Sequence, residues 1–268
     1  LRVIRGPVVS GPVSGPLRCQ QISDNDVMNE PTNNPSPHGV SVVILAAGQG
    51  KRMRSSLPKV LHPIAGKPML AHVILAARKL QPQKICIIHG HGGQQVREKI
   101  ADTEVVWVQQ EPQLGTGHAV LQALPQLAAT GITLVLYGDV PLIRPETLHA
   151  LCNAAGAGKL AWLTMTVTNP QGLGRILRNH DGAVQAIVED KDASSEEKLI
   201  NEINTGFLAC PTALLAKWLP ALTNNNTQQE YYLTDILRMA VKEGVAVETF
   251  SPASESEVTG INSKDCLL

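Results

Sequence analysis

Cysteine is sparse in this chain and unpaired by motif. The five cysteines, Cys19, Cys86, Cys152, Cys210 and Cys266, include no C-x-x-C pair, which excludes a zinc knuckle or a disulfide framework and points to reduced thiols in a cytosolic protein. Also missing is any apolar run near the roughly 20 residues that a bilayer-spanning helix needs. No sign of charge is in excess, because 23 Lys and Arg offset 23 Asp and Glu. Nucleic acid and anionic membranes require clustered Lys and Arg on one face, so neither is an expected partner. What is present is 268 residues, 43% hydrophobic and 17% charged, enough for one large α/β core or two smaller ones in an ordinary cytoplasmic globular protein.

The first 38 residues differ from the rest. Gly6-Pro7, Gly11-Pro12 and Gly15-Pro16 lead into a polar stretch through Pro31, Pro35 and Pro37, with no helical or strand periodicity. Residues 1–38 are therefore expected to be a disordered N-terminal extension. Their glycine-proline spacing spoils the amphipathic helix of a targeting peptide, and readthrough from an upstream start, with Met28 as the natural one, is the preferred reading.

From residue 40 onward, apolar runs at 42–45, 84–88, 105–108 and 132–136 alternate with helical patterns at 68–80, 93–101, 116–127 and 145–155. That alternation predicts an α/β fold, a Rossmann-like doubly wound mixed sheet with helices on both faces. Continuous hydrophobicity through Ile132-Thr133-Leu134-Val135-Leu136 marks a central strand buried on both faces. Further strands are expected at 160–167, 174–178 and 183–188, the last two joined by a hairpin at Asn179-His180-Asp181-Gly182. Helices are expected at 211–219 and 230–243. The domain is read as 39–262, with halves of about 39–145 and 146–262 facing each other across a cleft. In such sheets ligands lie in the crevice beyond the strand C-termini.

Three loops fall at that crevice. Val42-Val43-Ile44-Leu45-Ala46-Ala47-Gly48-Gln49-Gly50-Lys51-Arg52-Met53, followed by Leu57-Pro58-Lys59, is an apolar strand ending in small residues with cations behind them. Exposed backbone N–H groups without Cβ bulk, backed by positive charge, suit a phosphate. A dinucleotide loop would need glycine where Met53 stands, and no P-loop pattern is nearby. In Tyr137-Gly138-Asp139-Val140-Pro141 a carboxylate follows the central strand, where a hard divalent cation could use it, and the distance to Pro145 argues against a mere helix cap. The stretch from Gln109 to His118 is a second small-residue loop, whose amides and Gln110 side chain can read a pyrimidine edge while Thr116 also caps a helix.

The L-A-A-G-x-G-x-R-M…P-K run resembles, position by position, the signature of the sugar-nucleotide pyrophosphorylases. The resemblance implies the nucleotide-diphospho-sugar transferase type of fold, with the first half binding nucleotide and the second forming a sugar-binding lobe. It implies that Leu45, Ala46, Ala47, Gly48 and Lys59 hold a nucleoside triphosphate, that Arg52 and Lys59 act catalytically on its charge, and that Gln110, Gly115 and Thr116 hold uracil. Asp139 and Asn262, the latter in Val258-Thr259-Gly260-Ile261-Asn262, are implied Mg²⁺ ligands. Gly174, Glu189 and Asn204, with Tyr137, Gly138 and Asn262, are implied sugar contacts.

Thr223-Asn224-Asn225-Asn226 and Glu230-Tyr231-Tyr232-Leu233-Thr234-Asp235 are similar to the uridylyltransferase domain of bacterial bifunctional UDP-N-acetylglucosamine pyrophosphorylases. The implied reaction joins UTP to N-acetylglucosamine 1-phosphate and releases pyrophosphate, feeding cell-wall precursor and lipopolysaccharide synthesis. Those relatives carry a left-handed β-helix acetyltransferase through which they form trimers. Its hexapeptide repeats are absent here, and 263–268 reads as a truncated tail. Lys51 departs from the small polar residue usual before the Arg, an extra cation that phosphate tolerates. His89, His91 and His118 are read as structural, because the attacking phosphate is already ionised. Alternatives are a related pyrophosphorylase using another triphosphate or sugar phosphate, and a non-catalytic nucleotide-sugar-binding regulatory homologue. Retention of Arg52, Lys59, Asp139 and Asn262 together speaks against the second.

Overall fold

Val40–Leu45 form strand β1, and all of its residues are buried, as a covered sheet demands of a Val- and Ile-rich segment. The computed structural model that shows this describes residues 39–261 apart from Gln49, Lys51, Arg52, Arg54 and His91. The expected extension 1–38, the tail 263–268 and the candidate residues Arg52 and Asn262 therefore lie outside the described residues.

After β1 the chain makes a short hairpin, β2 (Pro63–Ile64) and β3 (Lys67–Pro68), and then α1 (Met69–Arg78). Next come β4 (Lys84–His89), α2 (Gly93–Ile100), β5 (Val106–Gln109), α3 (Thr116–Ala123), β6 (Ile132–Tyr137) and α4 (Pro145–Gly156). The second half adds β7 (Leu160–Thr166), β8 (Arg175–Arg178), β9 (Val184–Val188), β10 (Glu202–Pro211), α5 (Thr212–Trp218), α6 (Asp235–Lys242), β11 (Val247–Phe250) and α7 (Glu255–Val258). One sheet runs through both halves in the order β11-β7-β10-β6-β1-β4-β5, with the β8–β9 hairpin attached to β10. β10 runs antiparallel to both β6 and β7, while β1, β4, β5 and β6 are parallel.

β1 leads to β4 on one side, and β6 later returns on its other side, so the strand order reverses there. Neighbouring connections then leave the sheet in opposite directions and open a crevice at the C-terminal ends of β1 and β6.

Alternating side chains separate two cores. Val42 and Ile44 meet α1 through Leu70, Val73, Ile74 and Ala77, and α4 through Leu148, Leu151, Cys152 and Ala155 lies on the same side. Val43 and Leu45 face α3, α5 and α6, with Val120, Leu215, Trp218, Ile236, Leu237 and Ala240 buried there. Spacings of three and four in these helices give each one an apolar stripe. Every fully buried Leu, Ile or Val stabilises the fold by about 1.5–3 kcal/mol relative to exposure.

The hairpin at Asp181-Gly182 is present, with Gly182 at φ 80° and Asn179 Oδ1 accepting N–H groups from Asp181 and Ala183. The helix expected from residue 230 begins only at Asp235. Residues 230–234 spend their backbone groups elsewhere, since Tyr231 N–H donates to the Leu114 carbonyl and the Tyr231 carbonyl accepts from Gly117 N–H. Among the described residues, no helix is long and apolar enough to cross a membrane.

Candidate functional site

The parallel ladder continues one residue beyond the strands. Ala46 N–H donates to Ile88 O at 2.8 Å and Gly138 N–H donates to Leu45 O at 2.9 Å, so the loops after β1 and β6 leave the sheet side by side. A Cβ on Gly138 would come within 3.3 Å of Ala46, Leu70 and Val60 at once, which is why the crossing is made at a glycine. At Gly50, φ is 57° and a Cβ would stand 2.6 Å from the Cβ of Lys59, so the first loop closes over that lysine only without a side chain.

Lys59 starts a 3₁₀ turn and its ammonium pairs with the Asp139 carboxylate. Their side chains are 10% and 21% exposed, so both charges sit in a poorly solvated part of the crevice. Ile261 N–H donates to the Asp139 carbonyl at 3.0 Å, bringing the last described residue back to this loop. Glu257, 1% exposed, anchors that returning segment by accepting from Arg144 N–H, Ala253 N–H and the Thr147 hydroxyl.

The loop from Gln109 to Thr116 is fixed from two sides. Gln113 donates to the Ala47 carbonyl and so ties the two small-residue loops together. Gly115 has φ 107°, and a Cβ there would meet the Tyr231 carbonyl at 2.7 Å. Thr116 Oγ1 accepts from Leu233 N–H at 3.1 Å, so the hydroxyl is held from the segment before α6 and not within its own helix. Leu45, Ala46, Ala47, Gly48, Lys59, Gln110, Gly115 and Thr116 all line one cavity of about 440 Å³, joined by Tyr137, Asp139, Gln113 and Glu230.

A second cavity, of about 240 Å³, is lined by Gly174, Glu189 and Asn204 together with Gly206, Gln228 and Thr234. Thr116, Tyr137 and Glu230 line both, so the two spaces adjoin. Gly138 lies on neither wall; it packs against Ala46, Leu70 and Val60 underneath.

Asn204 Oδ1 accepts from Trp162 Nε1 and from Gly206 N–H, each at 2.7 Å. Both partners are donors, so the amide orientation is fixed and the NH₂ is the end left to offer a ligand acceptor. Glu189 Oε1 accepts from the Thr234 hydroxyl at 2.9 Å. Burial pushes the Glu189 carboxyl above its ordinary value, the Thr234 bond opposes this, and Asp235, Asp192 and Asp190 add to the rise. Burial, then the nearby Glu189 and Asp139 charges, also push Tyr137 up, so it remains a neutral phenol. Arg175, 2% exposed, pairs with Asp190 at 3.0 Å and donates to the Leu173 carbonyl, which fixes the turn before Gly174.

Among the described residues no group of three or more His, Cys, Asp or Glu could hold a metal. A cation at this site would have the Asp139 carboxylate as its hard protein ligand. Gln113, Glu230, Thr234 and the orienting Trp162 are site residues that sequence reasoning missed. Trp162 reads only as core, and Thr234 only as part of a matching run, because their partners are remote in sequence.

A doubly wound sheet whose reversal point opens onto a cavity backed by glycines and a buried ammonium, beside a second polar cavity, is the arrangement of a nucleotidyltransferase. Residues 42–229 match the MobA-like NTP transferase domain, and the chain belongs to that family. It is similar to the bifunctional protein GlmU of Aromatoleum aromaticum, 58% identical over 225 residues, covering 84% of this chain and 50% of that protein. The bifunctional protein GlmU of Nitrosomonas eutropha is 57% identical over 227 residues, with the same shares. The chain thus spans about half the length of the curated relatives it matches. Among solved structures it resembles a UDP-glucose pyrophosphorylase complexed with UDP-glucose, at TM-score 0.67 and 18% identity over 82% of this chain and 94% of the other. The inositol-1-phosphate CTP transferase of T. maritima aligns at TM-score 0.61 and 17% identity, over 81% and 86% of the two chains. At such identities these two likenesses establish the fold.

Proposed function

We propose that this chain is a cytoplasmic uridylyltransferase that makes UDP-N-acetylglucosamine and pyrophosphate from UTP and N-acetylglucosamine 1-phosphate. The observation that carries the reading is the pair of adjoining cavities, one edged by phosphate-suited loops and the other by uncharged hydrogen-bonding groups with the carboxyls of Glu189 and Glu230, and with Tyr137 and Thr116 common to both. Relatives 56–58% identical over this length support the choice of base and sugar.

In the reaction a phosphate oxygen of the sugar phosphate attacks the α-phosphorus of UTP. The new P–O bond forms as the bond to the β-phosphate oxygen breaks, and the electron pair leaves with pyrophosphate. No proton transfer is needed at neutral pH. The protein's contribution is position and charge. Ala46, Ala47 and Gly48 let backbone approach the triphosphate, and Gln110 and Gly115 hold the uracil edge. Asn204, Glu189 and the Gly174 backbone orient the hexosamine. Lys59, with Arg52, offsets charge growing on the leaving group.

The donor set fits Mg²⁺, which accepts one or two carboxylates and takes its remaining oxygens from water and substrate phosphates. Asp139 and Asn262 would hold it, and when bound it supplies charge neutralisation and polarises the phosphoryl group.

Pyrophosphate release measured across UTP, CTP and dTTP, each with N-acetylglucosamine 1-phosphate and glucose 1-phosphate, tests the proposal. Fastest release is expected with UTP and the N-acetylated sugar. Release that is fastest with another pair, or none with any pair, would overturn it.

A further inference from the structure

His118 belongs to α3 but lines neither cavity. Its ring lies between two amides. Gln110 Nε2 is 2.9 Å from the Gly115 carbonyl and 3.1 Å from His118 Nδ1, while the Gln122 amide lies 3.1 Å from His118 Nε2. A carbonyl only accepts, so the Gln110 group facing Gly115 is the NH₂, and its second hydrogen is aimed at Nδ1. Nδ1 must then be the accepting nitrogen, and the ring proton sits on Nε2. A half-turn of the Gln122 amide offers its oxygen to that proton and gives up only the long 3.4 Å contact of its NH₂ to the His118 carbonyl, whereas Gln110 would lose its 2.9 Å bond to Gly115. Burial lowers the pKa of His118, which keeps the ring neutral. With Nε2 committed to Gly115 and His118, Oε1 of Gln110 has no partner among the described residues and is the polar atom the side chain can offer to the cavity it lines.

We propose that His118 is a positioning residue for base specificity: as the neutral Nε2–H tautomer it holds the Gln110 amide with its oxygen toward the nucleotide. That oxygen accepts the N3–H of uracil and repels cytosine, whose N3 is itself an acceptor. The inference rests on the uracil reading above and deepens it. A flipped Gln110 amide would set oxygen against the Gly115 carbonyl and against Nδ1 together, and His118 supplies the second of these two locks.

Calorimetric titration with UMP and with CMP tests it without requiring turnover. His118→Phe keeps a ring beside Tyr231 but has no acceptor, whereas the side-chain oxygen of His118→Asn can replace Nδ1. The UMP-over-CMP affinity ratio should fall about three- to tenfold in His118→Phe, the effect of one net hydrogen bond, and stay within about twofold of wild type in His118→Asn. With UTP, His118→Phe should raise KM and leave kcat within about twofold. An unchanged ratio in His118→Phe, or an equal fall in both variants, would overturn the inference while leaving the uridylyltransferase reading intact. A wild-type protein that prefers CMP would overturn both. Should the Phe variant fail to fold, ¹⁵N NMR of wild-type His118 decides the matter: the proton on Nε2 supports the inference and a proton on Nδ1 defeats it.

Discussion

Replacing Lys59 by Met removes the ammonium while keeping most of the stem. Lys59 and Asp139 are 10% and 21% exposed, so solvent screens their attraction only in part. At an effective dielectric constant of about 20, unit charges about 4 Å apart attract by about 4 kcal/mol. Desolvating the two groups cancels much of that, so the net loss comes chiefly from leaving the Asp139 carboxylate without this partner, at about 1–3 kcal/mol. Turnover should suffer more, because an ammonium aimed at developing pyrophosphate charge accounts for roughly 10²–10³ in rate by analogy with other preorganised groups. The two effects are separable. Thermal unfolding of the free protein reads the first, and initial rates of pyrophosphate release at saturating UTP read the second. Mg²⁺ should also raise the midpoint of Lys59→Met more than that of wild type, since the cation no longer competes with an ammonium for Asp139. Turnover within threefold of wild type would refute the catalytic assignment, and an unchanged melting temperature would refute the account of the pair.

Gly206 has φ 90°, and a Cβ on it would lie 2.4 Å from the ring of Tyr137. Gly206→Ala should destabilise the protein by about 2–5 kcal/mol, the sum of left-handed strain and overpacking, measured by urea unfolding; a loss below 1 kcal/mol would contradict this. Glu189 carries the opposite sign. Its carboxyl is raised above 4.5, first by burial, so below that pH both states are protonated and it costs nothing, whereas the folded state bears a growing penalty as pH rises through the higher folded value. Glu189→Gln should therefore melt higher than wild type at pH 7, with the difference shrinking toward pH 4, and should bind the sugar phosphate about tenfold more weakly by losing a charged hydrogen-bond acceptor. A melting difference independent of pH would refute the linkage.

The parallel half of the fold was legible because β1, β4 and β6 are continuous apolar runs, each followed by small or turn residues, and buried strands admit little else. β10 was not. Its first half, Glu202-Ile203-Asn204-Thr205-Gly206, reads as a polar loop, and the register shift between Asn204 and Leu208 breaks the alternation that would have joined it to Phe207-Leu208-Ala209-Cys210. β11 is only four residues long at a sheet edge, too short for periodicity to mark. The helix expected from residue 230 failed because loop 114–117 takes its backbone groups, a long-range claim that local pattern cannot express.

The candidate site followed the same division. Residues in the two strand-end loops could be read from small side chains and charge, and the structure gathers them around one cavity. The orientation of Asn204 by Trp162, and of Gln110 by His118, depends on partners 42 and 8 residues away and shows only in three dimensions.

The most direct test is a crystal structure with UDP-N-acetylglucosamine bound. Uracil should lie against Gln110 and Gly115, the diphosphate should run past Lys59 and Asp139, and the N-acetylhexosamine should meet Asn204 and Glu189. A complex with the base in the smaller cavity, or with the nucleotide sugar away from both, would contradict the account.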